Sequence, residues 1–223
     1  MSDDVRQDDE RSLWTDVGAE LSSEPPLAKS LGSQRVKEVH VEEIFPERNQ
    51  LKLIHRVTIK YNVRARTRFI ERQHQWSGAG VKSRPRVDAS VDGRPLSASV
   101  HGRPWIENKV EAYLIDLGET ILADAELTVV TEQTFIDESE AALPYLSHRN
   151  FHEYDDFTMS IVLKDRPASA VYSLQPFEGD EDGIQEENFP LAPHKFGDDS
   201  KLWRIFHSPD GSKRGIHRIS WVV

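Results

Sequence analysis

The sequence predicts an all-β chain, an antiparallel β-sandwich of immunoglobulin-like or jelly-roll-like type. Three observations carry that prediction. About eight to ten short stretches alternate apolar and polar residues with a period of two. Turn-forming residues interrupt them at regular spacing. No stretch of the central or C-terminal part keeps a long helical period. Side chains on an extended strand alternate between two faces, so this pattern buries one side of each strand against a second sheet. A closed barrel is the other architecture the pattern permits, because sequence does not count sheet edges.

Residues 1–34 read as a disordered acidic tail. Residues 1–30 hold eight acids against three bases, and Glu24-Pro25-Pro26 stops any helix. Leu13, Trp14, Val17 and Leu21 have helical spacing. Asp9 to Leu21 therefore has a second reading, a short amphipathic helix that folds on a partner around Trp14. Residues 35–223 read as a single sandwich domain.

Val36 to Phe45 has strand character and is closed by Pro46. Leu51 to Phe69 is the sharpest feature, a long strand or two strands meeting at a bulge. One face carries His55, Val57, Ile59, Tyr61, Val63, Ala65, Thr67 and Phe69. The other carries Arg56, Thr58, Lys60, Asn62, Arg64, Arg66 and Arg68. Gln75 to Pro85 is a Gly/Ser loop. Arg86 to Val100 reads as a hairpin turning through Asp92-Gly93, which supplies the positive φ angles of a tight turn. Asn108 to Leu117 is apolar on both sides, as in a central strand or one at a sheet junction. Ala125 to Ile136 is rich in β-branched residues. Asp137 to Tyr154 reads as irregular, with a helical turn around Ser139 to Leu143. Asp156 to Leu163 and Ser169 to Leu174 are strands, and 177–200 is an acidic excursion. Leu202 to His207 and Gly215 to Val223 read as a closing hairpin turning at Ser208 to Gly211. Trp203 and Ile205 would then meet Ile219, Trp221 and Val223.

The formal charge is −10, unevenly placed. Residues 51–86 hold ten bases against the single acid Glu71, and residues 137–187 hold thirteen acids against three bases. The overall acidity argues against non-specific nucleic-acid binding, while the basic block keeps a local polyanion site open. Without cysteine there is no disulfide, thiolate nucleophile or Cys-type zinc site. No window approaches a membrane span, and the acidic N-terminus lacks a signal peptide's pattern. These features predict a cytoplasmic protein that does not bind membranes.

The candidate binding residues are Arg56, Lys60, Arg64, Arg66 and Arg68, five cations in one row if the strand is continuous. Either they pair with acids on neighbouring strands, such as Glu111, Asp116, Glu126 or Glu132, or they attract an acidic partner. Tyr61 and Phe69 fall on the opposite face, away from any base they might stack on. That favours a protein partner over nucleic acid.

His148, His152, Glu153, Asp155 and Asp156 form the densest group of possible metal ligands. A His-x3-His pair on a helix would place both rings on one face, but the zinc-protease HExxH order is absent. Glu178 to Glu187 is similar in outline to a calcium loop, yet Phe189 stands where the closing Glu belongs. No nucleophile elbow, phosphate loop or dinucleotide fingerprint occurs, so no cofactor is expected.

Leu117-Gly118-Glu119, Asp156-Phe157-Thr158-Met159-Ser160-Ile161 and Gly215-Ile216-His217-Arg218-Ile219-Ser220-Trp221 carry one resemblance. Over residues 105–223 the chain resembles the β-rich C-terminal domain of some actinobacterial proteins with an N-terminal helix-turn-helix. The resemblance implies an accessory or sensory module. No helix-turn-helix is present here, which puts direct regulation of transcription in doubt. The sequence thus predicts a non-enzymatic interaction module that docks an acidic protein on its basic strand face. The alternatives are a hydrolase with its site in the loop around His148 to Asp156, and a polyanion-binding strand.

Overall fold

The computed structural model describes residues 32–45, 50–75, 80–107, 110–137, 143–150, 156–177, 187–197, 201–208 and 215–222. They form strands and connections without a helix. In chain order the strands are β1 (Gly32–Phe45), β2 (Gln50–Asn62), β3 (Thr67–Gln75), β4 (Gly80–Lys82), β5 (Arg86–Val91), β6 (Arg94–Leu96), β7 (Ser99–Glu107) and β8 (Val110–Ile121). They continue as β9 (Glu126–Asp137), β10 (Tyr145–Asn150), β11 (Asp156–Leu163), β12 (Ser169–Gln175), β13 (Glu187–Pro190), β14 (His194–Lys195), β15 (Trp203–His207) and β16 (Gly215–Val222). The all-β sandwich is borne out. The acidic tail lies outside the described residues.

The described residues form three sheets. The main sheet has nine strands in the order β14-β15-β11-β1-β2-β9-β5-β6, with β4 also paired to β9. A four-stranded sheet, β10-β16-β12-β13, and a three-stranded sheet, β3-β8-β7, complete it. Pairing is antiparallel throughout except for β1 and β11, which run parallel from Gln34 opposite Asp156 to Val41 opposite Leu163. A parallel pair needs a long crossover, and over a hundred residues separate these two strands.

Both small sheets pack on one face of the main sheet. Val39 on β1 and Val57 on β2 share that face, because Val39 faces His55 and Lys37 faces Val57 across the ladder. Val39, Phe157, Met159, Ile161 and Ile205 pack against Leu146, Tyr172, Leu174, Ile219 and Trp221 of the four-stranded sheet. Val57, Ile59, Leu127 and Val129 pack against Val100, Tyr113, Ile115 and Leu117 of the three-stranded sheet. Each fully buried Phe, Leu or Ile contributes about 1.5–3 kcal/mol relative to exposure. One sheet thus serves two cores.

The Asp92-Gly93 turn forms as expected, with φ of 48° and 79°. Asp92 Oδ1 also accepts from the Glu126 amide at 2.9 Å, tying the turn to β9. Six expectations are corrected. The stretch read as irregular holds β10, and the Gly/Ser loop holds β4. The basic stretch is not one strand: β2 ends at Asn62, and β3 belongs to the three-stranded sheet. The run after the Asp92-Gly93 turn splits, with β6 in the main sheet and β7 in the three-stranded sheet. The acidic excursion contributes β13 and β14. The last two arms are not a hairpin: β15 pairs with β11 and β14, whereas β16 pairs with β10 and β12. Ile205, Ile219 and Trp221 belong to one buried core, which lies between two sheets. The helical turn expected around Ser139 lies outside the described residues but for Leu143.

Candidate functional site

Between the two small sheets, over β1 and β2, the interior turns from apolar to cationic. The alternation of β1 sends Arg35, Lys37, Val39 and Val41 inward, opposite Phe157, Met159, Ile161 and Leu163. Lys37 is only 8% exposed. Its Nζ donates to the Ser147 carbonyl oxygen on β10 at 2.5 Å. Burial and the charges of Arg35 and Arg72 lower its pKa to about 7.

His148, also on β10, points into the same seam and tilts against Phe157 at 5.4 Å between ring centroids. Burial, then Arg35, Lys37, His217 and Arg72, hold its pKa well below the usual imidazole range. Among the described residues, the charges that shift Lys37 and His148 are positive ones. In this seam His148 Nε2 and Arg72 Nε are shielded from solvent and have no hydrogen-bond partner among the described residues. Arg72 is otherwise bonded to Tyr113, which also bonds Thr131. Glu111, buried on β8, is held elsewhere by Gln133 at 3.1 Å and Lys82 at 3.7 Å.

The seam continues into the core through aromatic contacts. The Phe157 ring stands 4.8 Å from His217, whose Nδ1 shares a 2.7 Å hydrogen bond with the Tyr172 hydroxyl. His207 stacks on Tyr172 at 3.7 Å. Burial, followed by the charge of His217, lowers its pKa to about 4. The sequence reading missed Arg35 and Lys37. Positions 35–43, RVKEVHVEE, carry charge on both faces, so alternation gives no hint of which is inside.

The five cations singled out from the sequence are dispersed. Arg56 on β2 points to the outer face and bonds Glu132 of β9 at 2.6 Å. Lys60 lies on the same face, opposite Gln34 and Thr128. Arg64 and Arg66 are exposed in the connection that follows β2. Arg68 sits on β3 in another sheet and forms a two-pronged pair with Asp116 at 3.0 and 3.1 Å. Glu132 and Asp116 were two of the pairing acids the sequence suggested.

Among the possible metal ligands, His148 is on strand β10 and not on a helix, so the i, i+4 geometry does not apply. Asp156 opens β11 and accepts from Gln34 Nε2 at 2.7 Å. His152, Glu153 and Asp155 lie outside the described residues, as does most of the calcium-like loop. Among the described residues no group of three His, Cys, Asp or Glu stands within reach of one ion.

A second concavity lies on the outer face at the β14 edge of the main sheet. It encloses about 450 Å³ between Thr158, His194, Lys195, Phe196, Arg204, Phe206 and Ser208. Arg204 is anchored below by Glu38 at 3.1 Å and Ser160 at 3.2 Å.

No family model matches the chain, and no curated protein matches it. Among solved structures it is similar to an M1 zinc metallopeptidase from Deinococcus radiodurans, at 13% identity and a TM-score of 0.39. The match covers 88% of this chain and 44% of the peptidase, so the chain spans less than half of that relative's length. A Legionella pneumophila protein described as nutrient-binding matches at 8% identity and a TM-score of 0.37, over 86% of this chain and 68% of that one. Likenesses at these scores assign no activity. The expected interaction module, docking an acidic partner on a basic strand face, is nevertheless overturned. The structure divides the row between two sheets and a connection, with Arg56 and Arg68 bonded to acids.

Proposed function

We propose that the cationic seam binds a small oxyanion, the carboxylate or phosphate group of a small-molecule ligand, and that the chain works as a ligand-binding β-domain. One observation carries this reading. Lys37 is buried among Arg35, Arg72 and His148, and the charges of Arg35 and Arg72 act on it along with burial. Burying a cation costs several kcal/mol unless an anion or hydrogen bonds compensate. A single carbonyl oxygen compensates only in part. A bound oxyanion would accept from Lys37 Nζ and from the unpartnered Arg72 Nε, and would draw a proton onto His148. An accessory or sensory role, as the actinobacterial resemblance implies, suits a site of this kind.

The test uses the full chain with inorganic phosphate, sulfate and acetate, against chloride at equal ionic strength. A specific oxyanion should raise the melting temperature steadily with the logarithm of its concentration above Kd, with about 2.7 kcal/mol of stabilisation at a hundred times Kd. Lys37→Met should melt above wild type in plain buffer, since a buried charge has gone, yet lose the response. If no oxyanion exceeds chloride, or if Lys37→Met still responds, the seam is not the site.

A further inference from the structure

The cleft at the β14 edge is independent of the seam and lies on the opposite face of the main sheet. Its walls combine cations with aromatic rings. The Arg204 guanidinium lies 5.2 Å from the Phe196 ring and 5.9 Å from that of Phe206. His194 stands 5.7 Å from Phe206, and the exposed Lys195 lies over Trp203 at 4.1 Å. Phe206 is 45% exposed. The strand edge beside it is also open. β14 pairs only with Trp203 and Arg204, so beyond them β15 has no ladder partner on that side among the described residues.

We propose that this cleft is the docking site, in cis, for the chain's own stretch Asp9 to Leu21. Trp14 seats against Phe196 and Phe206, and the acids of the stretch face Lys195 and His194. Three observations select this occupant. The first is charge: residues 9–21 hold four acids against the single base Arg11, while the cleft presents Lys195 and His194 beside Arg204, whose guanidinium is paired with Glu38. The second is shape. Leu13, Trp14, Val17 and Leu21 recur at helical spacing, so a helix over the stretch offers an aromatic anchor in an apolar stripe, with Glu10 on the same face and Asp9, Asp16 and Glu20 along its edge. The third is position. The described chain begins at Gly32, and Val36 on β1 faces Thr158, a wall of the cleft. Four strand residues, ~13 Å, separate that entry from the cleft's rung. The ten residues between Leu21 and Gly32 span up to ~35 Å, ample for the return. Tethering at such a distance gives a millimolar effective concentration, so a modest contact is enough to hold the segment in place. Docking there would shield Phe206 and the open β15 edge, which otherwise offers unpaired backbone to other chains.

Hydrogen–deuterium exchange of the full chain tests this. Residues 9–21 should exchange roughly tenfold more slowly than an unstructured segment. The protection should vanish in Trp14→Ser, in the Lys195→Glu, Phe206→Ser double variant, and in high salt. Protection of β1, β2 and β11 should stay unchanged in every case, which shows that the sheets remain folded. Unprotected residues 9–21 in the wild-type chain overturn the proposal. So does protection that survives the cleft variants, which places the segment elsewhere. Protection that rises with protein concentration assigns the contact to a second copy and overturns docking in cis.

Discussion

Lys37 and Glu38 are neighbours on β1 and point to opposite faces of the main sheet. Outside, Glu38 accepts from His40 at 2.8 Å, from Ser160 at 2.8 Å and from Arg204 at 3.1 Å. The His40 hydrogen bond foremost, then Ser160 and the charges of His40 and Arg204, outweigh burial and bring its pKa down to about 2. The carboxylate is fixed in its charged form. Inside, Lys37 has one carbonyl acceptor and cationic neighbours, and burial brings its pKa down to about 7, towards its neutral form. The same strand therefore settles one charge and leaves its neighbour unsettled. Partners decide that outcome, since both groups are withdrawn from water.

The largest effect expected from this contrast is a pH dependence on the alkaline side. Folded Lys37 titrates near 7 and the unfolded lysine near 10.5. Between those values the unfolded chain binds the extra proton, so stability rises with pH across the window. At ~1.4 kcal/mol per unit the whole span is worth on the order of a few kcal/mol. Urea titrations at pH 7, 8.5 and 10 should show this rise in wild type and a much flatter profile in Lys37→Met. An equal slope in both would remove Lys37 as the source.

Removing the outer partner should act in the opposite direction to Lys37→Met, and more weakly. Glu38→Gln leaves the half-buried Arg204 short of its counter-charge and should cost about 1–2 kcal/mol at pH 7. Its folded pKa lies below that of the unfolded chain, so this contribution is complete above pH 4.5 and fades as pH falls towards 2. The variant and the wild type should therefore converge in acid melts. A gap that stays constant down to pH 2 would mean that Glu38 acts through packing alone.

The smallest effect belongs to the most conspicuous residues in the sequence. Arg56 is more than half exposed, and removing it with Arg56→Ala should cost less than about 1 kcal/mol, with much of that difference gone in high salt. A loss of several kcal/mol would show that the outer charge pairs contribute far more than a solvated pair does.

Much of the architecture was legible because strand alternation is a local property. β5, β9, β11 and β12 fall where the period of two placed them, and the Asp92-Gly93 turn followed from local φ preference. Which strands become neighbours is not local. Leu202–His207 and Gly215–Val222 look like two arms of a hairpin, yet each finds its ladder in a different sheet. Gly215 shows how tight that second ladder is: a Cβ there would lie 2.7 Å from the Gln175 carbonyl oxygen. The row from Arg56 to Arg68 failed for the same reason. The chain leaves the main sheet after Asn62, and a change of sheet resets which side faces inward.

By itself the sequence determined that the chain is all β, that it has no cysteine chemistry, and that its charge is divided into acidic and basic blocks. Those are consequences of residue type and of a period read over a few neighbours. Only the tertiary structure decided that one sheet serves two cores, that β1 lies parallel to β11, and that Arg35 and Lys37 face inward between the small sheets. On β1 both faces carry charge, so burial is set by what packs across from it. Arg72 and His148, the groups that meet Lys37, come from β3 and β10, far from β1 in sequence.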